Sequence, residues 1–479
     1  MSTAPRLFGI IGDPIGHTLS PVIHTLFSSK TGQPIEGYVP FQVSRERLPE
    51  AIRGAHALGI AGMNVTVPHK SAVIPELHSI DPLAEKIGAV NTLVYEDGGY
   101  RGYNTDATGL GMALRKEGVA LAGARVVILG AGGAARAAAF LCADGGAAEV
   151  LIINRSVDRA EALAQEVCER TGRPVTRAVR LASFLADTEG EDRYLAIQCT
   201  SVGLMPDTEH AAVEDADFFK KLFFAVDIVY RPLETKFLRL AKEAGVPTMG
   251  GLSMLLYQAA DAFALWFPGS RPDDAALDCV MRVLRGELRG YYGIYLIGYM
   301  GSGKTTVGRE LADVLHFDLW DTDRMIEEST GRSVSRIFAE DGEALFRQLE
   351  TKTLEQINAA ETGPREDGAE GLVLSTGGGL PLREENRTLL REGFGRTVYL
   401  RVRPETVIRR LEGDETRPLL AGADAAEKLA RVEAMLTERG PVYESCADLI
   451  IDTDDKEPGE IATEILKGLA DLREKEERA

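Results

Sequence analysis

Arg125-Val-Val-Ile-Leu-Gly130-Ala131-Gly132-Gly133-Ala134-Ala135 and, further along, Gly293-Ile-Tyr-Leu-Ile-Gly298-Tyr-Met-Gly301-Ser302-Gly303-Lys304-Thr305-Thr306 follow one plan. Each is a short apolar run that enters a glycine-rich turn and continues into a helix-forming stretch. Such a run, bounded by turn residues, reads as a buried strand. A strand joined to a helix in this way is half of a βαβ unit. Around the two turns, β-branched runs keep alternating with longer helical stretches: Val150–Asn154, Tyr194–Ile197, Phe224–Val229, Val373–Ser375, Val398–Val402 and Leu449–Asp452. The alternation predicts an α/β protein with parallel sheets.

The chain is too long for one core. It has 479 residues, and single cores stop growing near ~250–300. With 44% hydrophobic and 27% charged residues it is an ordinary globular composition. A net charge of −19 leaves no basic footprint for nucleic acid or an anionic membrane. Five widely spaced cysteines, without a C-x-x-C, argue against a disulfide framework or a zinc site and suit a reducing cytoplasm. The N-terminal residues lack the pattern of a signal peptide, and no stretch of ~20 apolar residues offers a membrane span. A joint between the halves is expected at residues 286–291. Residues 360–371 read as a solvated surface loop. Monomer and homodimer both remain open.

Gly130-x-Gly132-x-x-Ala135 fits a dinucleotide-binding turn: one glycine for the tight bend, one for close approach of the pyrophosphate, and a helix N-terminus facing negative charge. About twenty residues on, where an acidic residue would hold a free ribose, the chain reads Asn154-Arg155-Ser156-Val-Asp-Arg159. Two arginines and a hydroxyl suit a 2′-phosphate, which favours NADP over NAD. Upstream, Asn64-Val-Thr66-Val-Pro-His-Lys70, Asn104-Thr-Asp106 and Thr18-Leu-Ser20 supply amides, hydroxyls, a lysine and a carboxylate. A Lys–Asp pair is a plausible proton-transfer unit for reducing a ketone. Singly, each has a plainer reading: a surface lysine, a helix cap, turn residues.

As an ordered set these elements resemble the shikimate dehydrogenase family over residues ~5–285. The match includes Ser20-Pro21 with His24, Gly88-Ala-Val-Asn91-Thr92, Asn104-Thr-Asp106-x-x-Gly109 and Gly251-Leu-x-Met254 with Gln258. The resemblance implies a substrate domain (residues 1–106, completed by helices at ~252–288) and a Rossmann NADP domain (107–251). It implies Lys70 and Asp106 as the catalytic pair. Thr18, Ser20, Asn64, Thr66, Lys70, Asn91, Asp106, Tyr230 and Gln258 would hold the substrate. Gly130, Ala131, Gly132, Gly133, Ala134, Asn154, Arg155, Ser156, Arg159, Thr200, Ile228 and Gly251 would hold NADP(H). Two departures stand out: Thr18 replaces the family's usual serine, which leaves quinate use open, and Gln198-Cys-Thr-Ser201 replaces Asn-Ala-Thr-Ser.

Gly298-x-x-x-x-Gly303-Lys304-Thr305 is a complete phosphate-binding loop, in which the Thr305 hydroxyl suits Mg²⁺. Asp321-Thr-Asp323 follows the next strand, where a carboxylate can meet Mg²⁺ or an acceptor hydroxyl. Arg347, Gly377-Gly378-Gly379, Arg417 and Arg439 come later. Each arginine alone reads as a surface ion pair. As a set they resemble the shikimate kinase family over residues ~292–470, within a P-loop, NMP-kinase-like α/β domain at 292–479. The resemblance implies that Gly301, Ser302, Gly303, Lys304, Thr305, Thr306, Arg410 and Arg417 bind ATP, with Arg417 on a mobile lid. Lys304 and Asp323 would be catalytic, with Asp323, Arg347, Gly378, Gly379 and Arg439 on shikimate. Thr305 and, through water, Asp321 would hold Mg²⁺. The expected function is bifunctional: reduction of 3-dehydroshikimate to shikimate, then phosphorylation of shikimate to shikimate 3-phosphate in aromatic amino acid biosynthesis.

Overall fold

The computed structural model describes residues 6–16, 18–186, 193–359, 370–411 and 425–478. The chain divides into two compact units, Met1–Leu284 and Arg285–Ala479.

The first unit holds two six-stranded sheets. One is built from β1 (Leu7–Gly12), β2 (Gly37–Gln42), β3 (Gly62–Val65), β4 (Ser79–Ile80), β5 (Thr92–Glu96) and β6 (Gly99–Tyr103), in the order β2-β1-β3-β5-β6-β4. It is mixed rather than wholly parallel: β5 runs antiparallel to both β3 and β6. For β5 and β6 the reason is local. Asp97-Gly98 links β5 to β6, and Asp-Gly is a strong two-residue hairpin signal.

The second sheet contains β7 (Arg125–Leu129), β8 (Glu149–Ile153), β9 (Thr176–Ala178), β10 (Tyr194–Gln198), β11 (Leu222–Asp227) and β12 (Thr248–Met249). Its order is β12-β11-β10-β7-β8-β9, and every pair is parallel. Strand order reverses beside β7, which opens the crevice where doubly wound sheets take their ligands. Alanines 135 and 137–139 of the Gly133–Asp144 helix are buried against this sheet; their small side chains let the helix lie close to the backbone.

The Gly251–Trp266 helix returns to the first sheet. Trp266 donates its indole N–H to the Leu93 carbonyl (2.9 Å), and Phe263 packs edge-on to Phe27 at 5.7 Å. Gly109, in the Thr105–Lys116 helix, is the close-approach point: a β-carbon there would lie 2.6 Å from the Gln258 backbone nitrogen. The residues expected as a linker, 286–291, begin instead inside the Asp274–Arg289 helix, and only residues 290–292 precede the next strand.

The second unit is a five-stranded parallel sheet of β13 (Gly293–Ile297), β14 (Asp318–Asp321), β15 (Leu372–Ser375), β16 (Gly395–Arg401) and β17 (Leu449–Asp452), in the order β14-β15-β13-β16-β17. Cores form on both faces, one around Ile294, Leu296 and Leu311, the other around Tyr295, Ile297 and Leu374. Residues 360–369 of the expected surface loop lie outside the described residues. Glu370, at its end, is buried rather than solvated: Arg285 and Arg289 both pair with it, and two guanidinium donors offset the loss of water.

Gly109→Ala tests the helix contact. Alanine favours an exposed helix by about 1 kcal/mol over glycine, but here the new methyl meets backbone that cannot rotate away. The expected outcome is a net loss of about 1–2 kcal/mol, read by scanning calorimetry as a lower midpoint for thermal unfolding of the first unit.

Candidate active sites

In the first unit, the Asn104 side chain caps the Thr105–Lys116 helix by accepting from the Ala107 N–H. This leaves Asp106 in the first turn, facing inward and buried. The Lys70 ammonium donates to Asp106 Oδ2 at 2.6 Å, with the lysine side chain 17% and the aspartate 6% exposed. The other carboxylate oxygen accepts from Asn91 Nδ2 at 2.9 Å. Asn91 Nδ2 also reaches Thr105 Oγ1 (2.9 Å) and Gln258 Oε1 (3.2 Å), while Asn91 Oδ1 accepts from the Thr105 N–H at 2.7 Å. Asn64 Nδ2 donates to the Asn91 carbonyl and to Thr92 Oγ1. The amides, the carboxylate and the lysine therefore form one connected network.

Tyr38 carries the network to the two hydroxyls and was not among the expected site residues. Its phenol donates to Asn64 Oδ1 at 2.7 Å and is also hydrogen-bonded to the Ser20 side chain. Thr18 Oγ1 donates to Ser20 Oγ at 3.2 Å. The His24 ring stacks on Tyr38 at 4.6 Å, and burial lowers its pKa to about 3, so it stays neutral. The β2 pattern around Tyr38 gives no sign of this role, because a buried aromatic in a strand is ordinary core. Thr66 follows β3 and donates its N–H to the Ile11 carbonyl.

Gly130 closes β7 with φ 113°, a backbone that favours glycine. A β-carbon there would meet Thr200 Cγ2 at 3.1 Å, so the turns after β7 and β10 touch at the crevice. Gly132 caps the Gly133–Asp144 helix, and a β-carbon on it would meet nothing within 4 Å. Asn154, at the end of β8, donates to the Ser156 carbonyl (2.9 Å); Arg155 and Arg159 are exposed and form no ion pair among the described residues. Gly251 lies against the Ile228 carbonyl, where a β-carbon would intrude at 2.0 Å. Tyr230 sits just beyond, its phenol pKa raised by burial.

The wall carrying Thr200, Ile228 and Tyr230 depends on Asp227, which is 0% exposed. Its carboxylate accepts from Thr235 Oγ1 (2.7 Å), the Val229 N–H (2.9 Å) and Gln198 Nε2 (3.1 Å). Gln198 also donates to the Thr200 carbonyl and accepts from the Thr200 N–H. Glutamine thus braces the turn and reaches the carboxylate at once.

In the second unit, Lys304 begins the helix after the phosphate loop and donates to the carbonyls of Gly298 (2.9 Å) and Tyr299 (3.0 Å). Gly301 and Gly303 have φ 76° and 95°. Ser302 is buried, while Thr305 and Thr306 are exposed. Thr305 Oγ1 donates to Asp321 Oδ2 (3.2 Å) and lies 3.0 Å from Ser375 Oγ. Asp321 caps the Thr322–Thr330 helix through the N–H groups of Asp323 and Arg324. Arg410 donates to the carbonyls of Gly301 (3.2 Å) and Thr453 (2.6 Å). Arg417 lies outside the described residues.

Arg347, Asp323 and the three glycines converge on one spot. A β-carbon on Gly379 would lie 2.3 Å from the Arg347 guanidinium, and one on Gly377 2.6 Å from Asp323 Oδ1 and 2.7 Å from Glu350 Oε1. Glu350 was not expected as a site residue, although it follows Arg347 by three positions. It is fully buried and accepts from Arg347 Nη1 at 2.7 Å. Burial pushes its pKa up to about 7, against the pull of Arg347 and with Asp323 adding to the rise. Tyr443 donates to the Gly378 carbonyl at 2.6 Å, and Arg439 lies 5.9 Å over the Tyr299 ring.

A dinucleotide crevice beside a buried Lys–Asp pair defines an oxidoreductase, and a phosphate loop beside an Arg–Asp–glycine pocket defines a small-molecule kinase. Models of the shikimate dehydrogenase substrate binding domain, of shikimate / quinate 5-dehydrogenase and of shikimate kinase match residues 10–93, 112–189 and 300–470 respectively. The shikimate dehydrogenase (NADP(+)) of Moorella thermoacetica is 42% identical over 284 residues, 59% of this chain and 95% of the relative. That of Methanothermobacter thermautotrophicus is 40% identical over 287 residues, covering 58% and 97%. The crystal structure of Thermus thermophilus shikimate 5-dehydrogenase in complex with NADP(H) and shikimate matches with a TM-score of 0.51 at 37% identity, covering 58% of this chain and 98% of that one. The chain belongs to the shikimate dehydrogenase family, and it carries a shikimate kinase domain after the dehydrogenase.

Burial raises the Asp227 pKa to about 6, against its three hydrogen bonds. The folded chain therefore keeps this proton over a range in which the unfolded chain has lost it, and stability falls as pH rises from about 4 to 6. Asp227→Asn lacks this titration. Scanning calorimetry should show the variant gaining on the parent by on the order of 2 kcal/mol between pH 4 and 7 in the NADP⁺-responsive transition, with no further change above pH 7.

Proposed function

We propose that the residues gathered in the two sites carry out consecutive steps on one metabolite: NADPH-dependent reduction of 3-dehydroshikimate, then ATP-dependent phosphorylation of shikimate. The observation that carries the reading is the Lys70–Asp106 pair at 2.6 Å, embedded with Asn64, Asn91 and Gln258 in one buried network.

The dinucleotide fits the first unit. At the helix N-terminus a β-carbon on Gly132 would meet nothing within 4 Å and one on Gly133 only the Lys70 side chain at 3.8 Å, and Arg155 and Arg159 are exposed where a 2′-phosphate would lie. NADPH supplies the hydride. Lys70 supplies the proton for the alkoxide formed at the former carbonyl, and Asp106 holds the ammonium in place and accepts from a substrate hydroxyl. Asn64, Thr66, Asn91 and Gln258 orient the ring hydroxyls, Thr18, Ser20 and Tyr230 take the carboxylate, and Ile228 and Gly251 line the nicotinamide.

Mg²⁺ and ATP fit the second unit. The Thr305 hydroxyl and the Asp321 carboxylate lie side by side below the loop, a hard-oxygen set that suits Mg²⁺. Mg²⁺ neutralises phosphate charge. Lys304 and the loop N–H groups take the phosphates, Thr306 and Arg410 flank the nucleotide, and Arg417 adds a further cation for the phosphates. Arg347 and Arg439 take the shikimate carboxylate, Gly378 and Gly379 make room for the ring, and Asp323 accepts from the attacking hydroxyl. Catalysis is mostly positioning and charge compensation. The five free cysteines support a reducing, cytoplasmic setting. Among the described residues no helix is long and apolar enough to cross a membrane.

Lys70→Ala should lower dehydrogenase kcat by roughly 10²–10⁴-fold and leave kinase turnover intact, and Lys304→Ala should do the reverse; loss of both activities in either variant overturns the assignment. Arg155→Ala with Arg159→Ala should raise KM for NADPH far more than KM for NADH. Equal changes for both cofactors would show that these arginines do not read the 2′-phosphate.

A further inference from the structure

The short Pro82–Ile87 helix ends four residues before Asn91, the side chain that holds Asp106. The last carbonyls of a helix have few partners within it. Here guanidinium groups from the nucleotide-binding lobe reach the carbonyls of its last three residues, the first of which also accepts from the Gly88 N–H. Arg170 Nη1 donates to the carbonyls of Glu85 (2.9 Å) and Lys86 (3.1 Å), and Arg136 Nε donates to that of Ile87. Glu166 pairs with both arginines. Positive charge at a helix C-terminus is favourable, and most so when part-buried; the Arg136 side chain is 20% exposed.

The two arginines differ in where they stand. Arg170 is in the last turn of the Val157–Thr171 helix. Arg136 is in the first turn of the Gly133–Asp144 helix, and its N–H donates to the Gly132 carbonyl at 2.9 Å. It therefore sits directly behind the dinucleotide turn. Its contact partner leads straight to the reacting groups. Gly88 follows Ile87 with φ 71°, and a β-carbon there would come within 3.0 Å of Arg136 Nη2. The Ala89 carbonyl accepts from Asn104 Nδ2, the Val90 N–H donates to the Lys70 carbonyl at 2.8 Å, and Asn91 then meets Asp106. The segment is pinned from outside by Arg136 and from inside by Lys70, Asn104 and Asp106.

We propose that Arg136 is a positioning residue that couples the dinucleotide turn to the Lys70–Asp106 pair, so that cofactor and substrate each tighten the other's site. The inference rests on the site reading given above. Binding of phosphates at the Gly132–Gly133 turn fixes the first helical turn, and the guanidinium passes that constraint to residues 87–91. Coupling of this kind is reciprocal, so either ligand can report it.

The test uses the full chain. NADP⁺ is titrated calorimetrically with and without saturating 3-dehydroshikimate, an oxidised pair that cannot react. In the parent protein 3-dehydroshikimate should tighten NADP⁺ by at least about fivefold. Arg136→Met keeps the bulk and removes the donors; its coupling factor should fall below about twofold, with NADP⁺ affinity alone little changed. Arg136→Lys keeps one donor and should restore part of the factor. A factor near one in the parent, or a parental factor in Arg136→Met, overturns the inference. So does an equal loss of NADP⁺ affinity with and without 3-dehydroshikimate, which marks a merely structural clasp. A parent protein that binds neither ligand would instead sink the site reading itself.

Discussion

A helix that starts where a parallel strand ends leaves its first N–H groups without acceptors, and they carry a partial positive charge. Both units are organised around that constraint. In the first, the turn after β7 delivers the open N-terminus at Gly133; in the second, the turn after β13 delivers the one at Lys304. Each turn needs backbone that only glycine adopts readily, at Gly130 in one and at Gly301 and Gly303 in the other. Each is flanked by strands from elsewhere in the chain, so the groups that act on the bound molecule arrive from distant sequence at the same sheet edge. An acidic protein can in this way hold polyanions through local dipoles and a few placed cations.

The polar networks show how the buried groups are kept in register. Asn91 uses both ends of its amide, and Asp106 uses both oxygens, so neither can rotate without leaving a buried polar atom without a partner. Asp227 does the same for the opposite wall through Thr235, Val229 and Gln198. The glutamine at 198, which departs from the family's usual asparagine, makes structural sense here: its side chain spans the Thr200 turn and the Asp227 carboxylate together.

What could be read from the residues in advance divides by range of interaction. The glycine turns and the strands around them are visible in short windows, while the Lys–Asp pairing, 36 residues apart, rests on the order of the motifs and the resemblance they carry. The mixed character of the first sheet was also visible, in Asp97-Gly98, but the alternation of strands and helices around it points to parallel pairing. Tyr38 and Glu350 were not visible. A tyrosine in a strand and a glutamate in a helix have ordinary readings, and only the fold brings one onto Asn64 and the other beside Arg347 and Asp323. The end of the 360–371 stretch reads as solvated because acidic residues usually are. Glu370 is buried because two arginines from the preceding helix meet it, at a sequence separation no local pattern reveals.

On the proposed reading the two sites hold one metabolite with different chemistry, and the difference follows from the reactions. Reduction creates one transient negative charge, on an oxygen that a single proton neutralises. A lysine with a carboxylate partner suffices, and neutral amides and hydroxyls can do the rest. Phosphoryl transfer brings several negative charges together around an anionic acceptor, and no single proton relieves them. Permanent cations are then needed on the acceptor as well as on the nucleotide, and guanidinium groups provide them without titrating. Glu350 keeps this from becoming an uncompensated cluster: it holds Arg347 from the buried side, while burial and the nearby Asp323 push its pKa up against the pull of Arg347. Joining the two enzymes in one chain fixes their ratio at one to one.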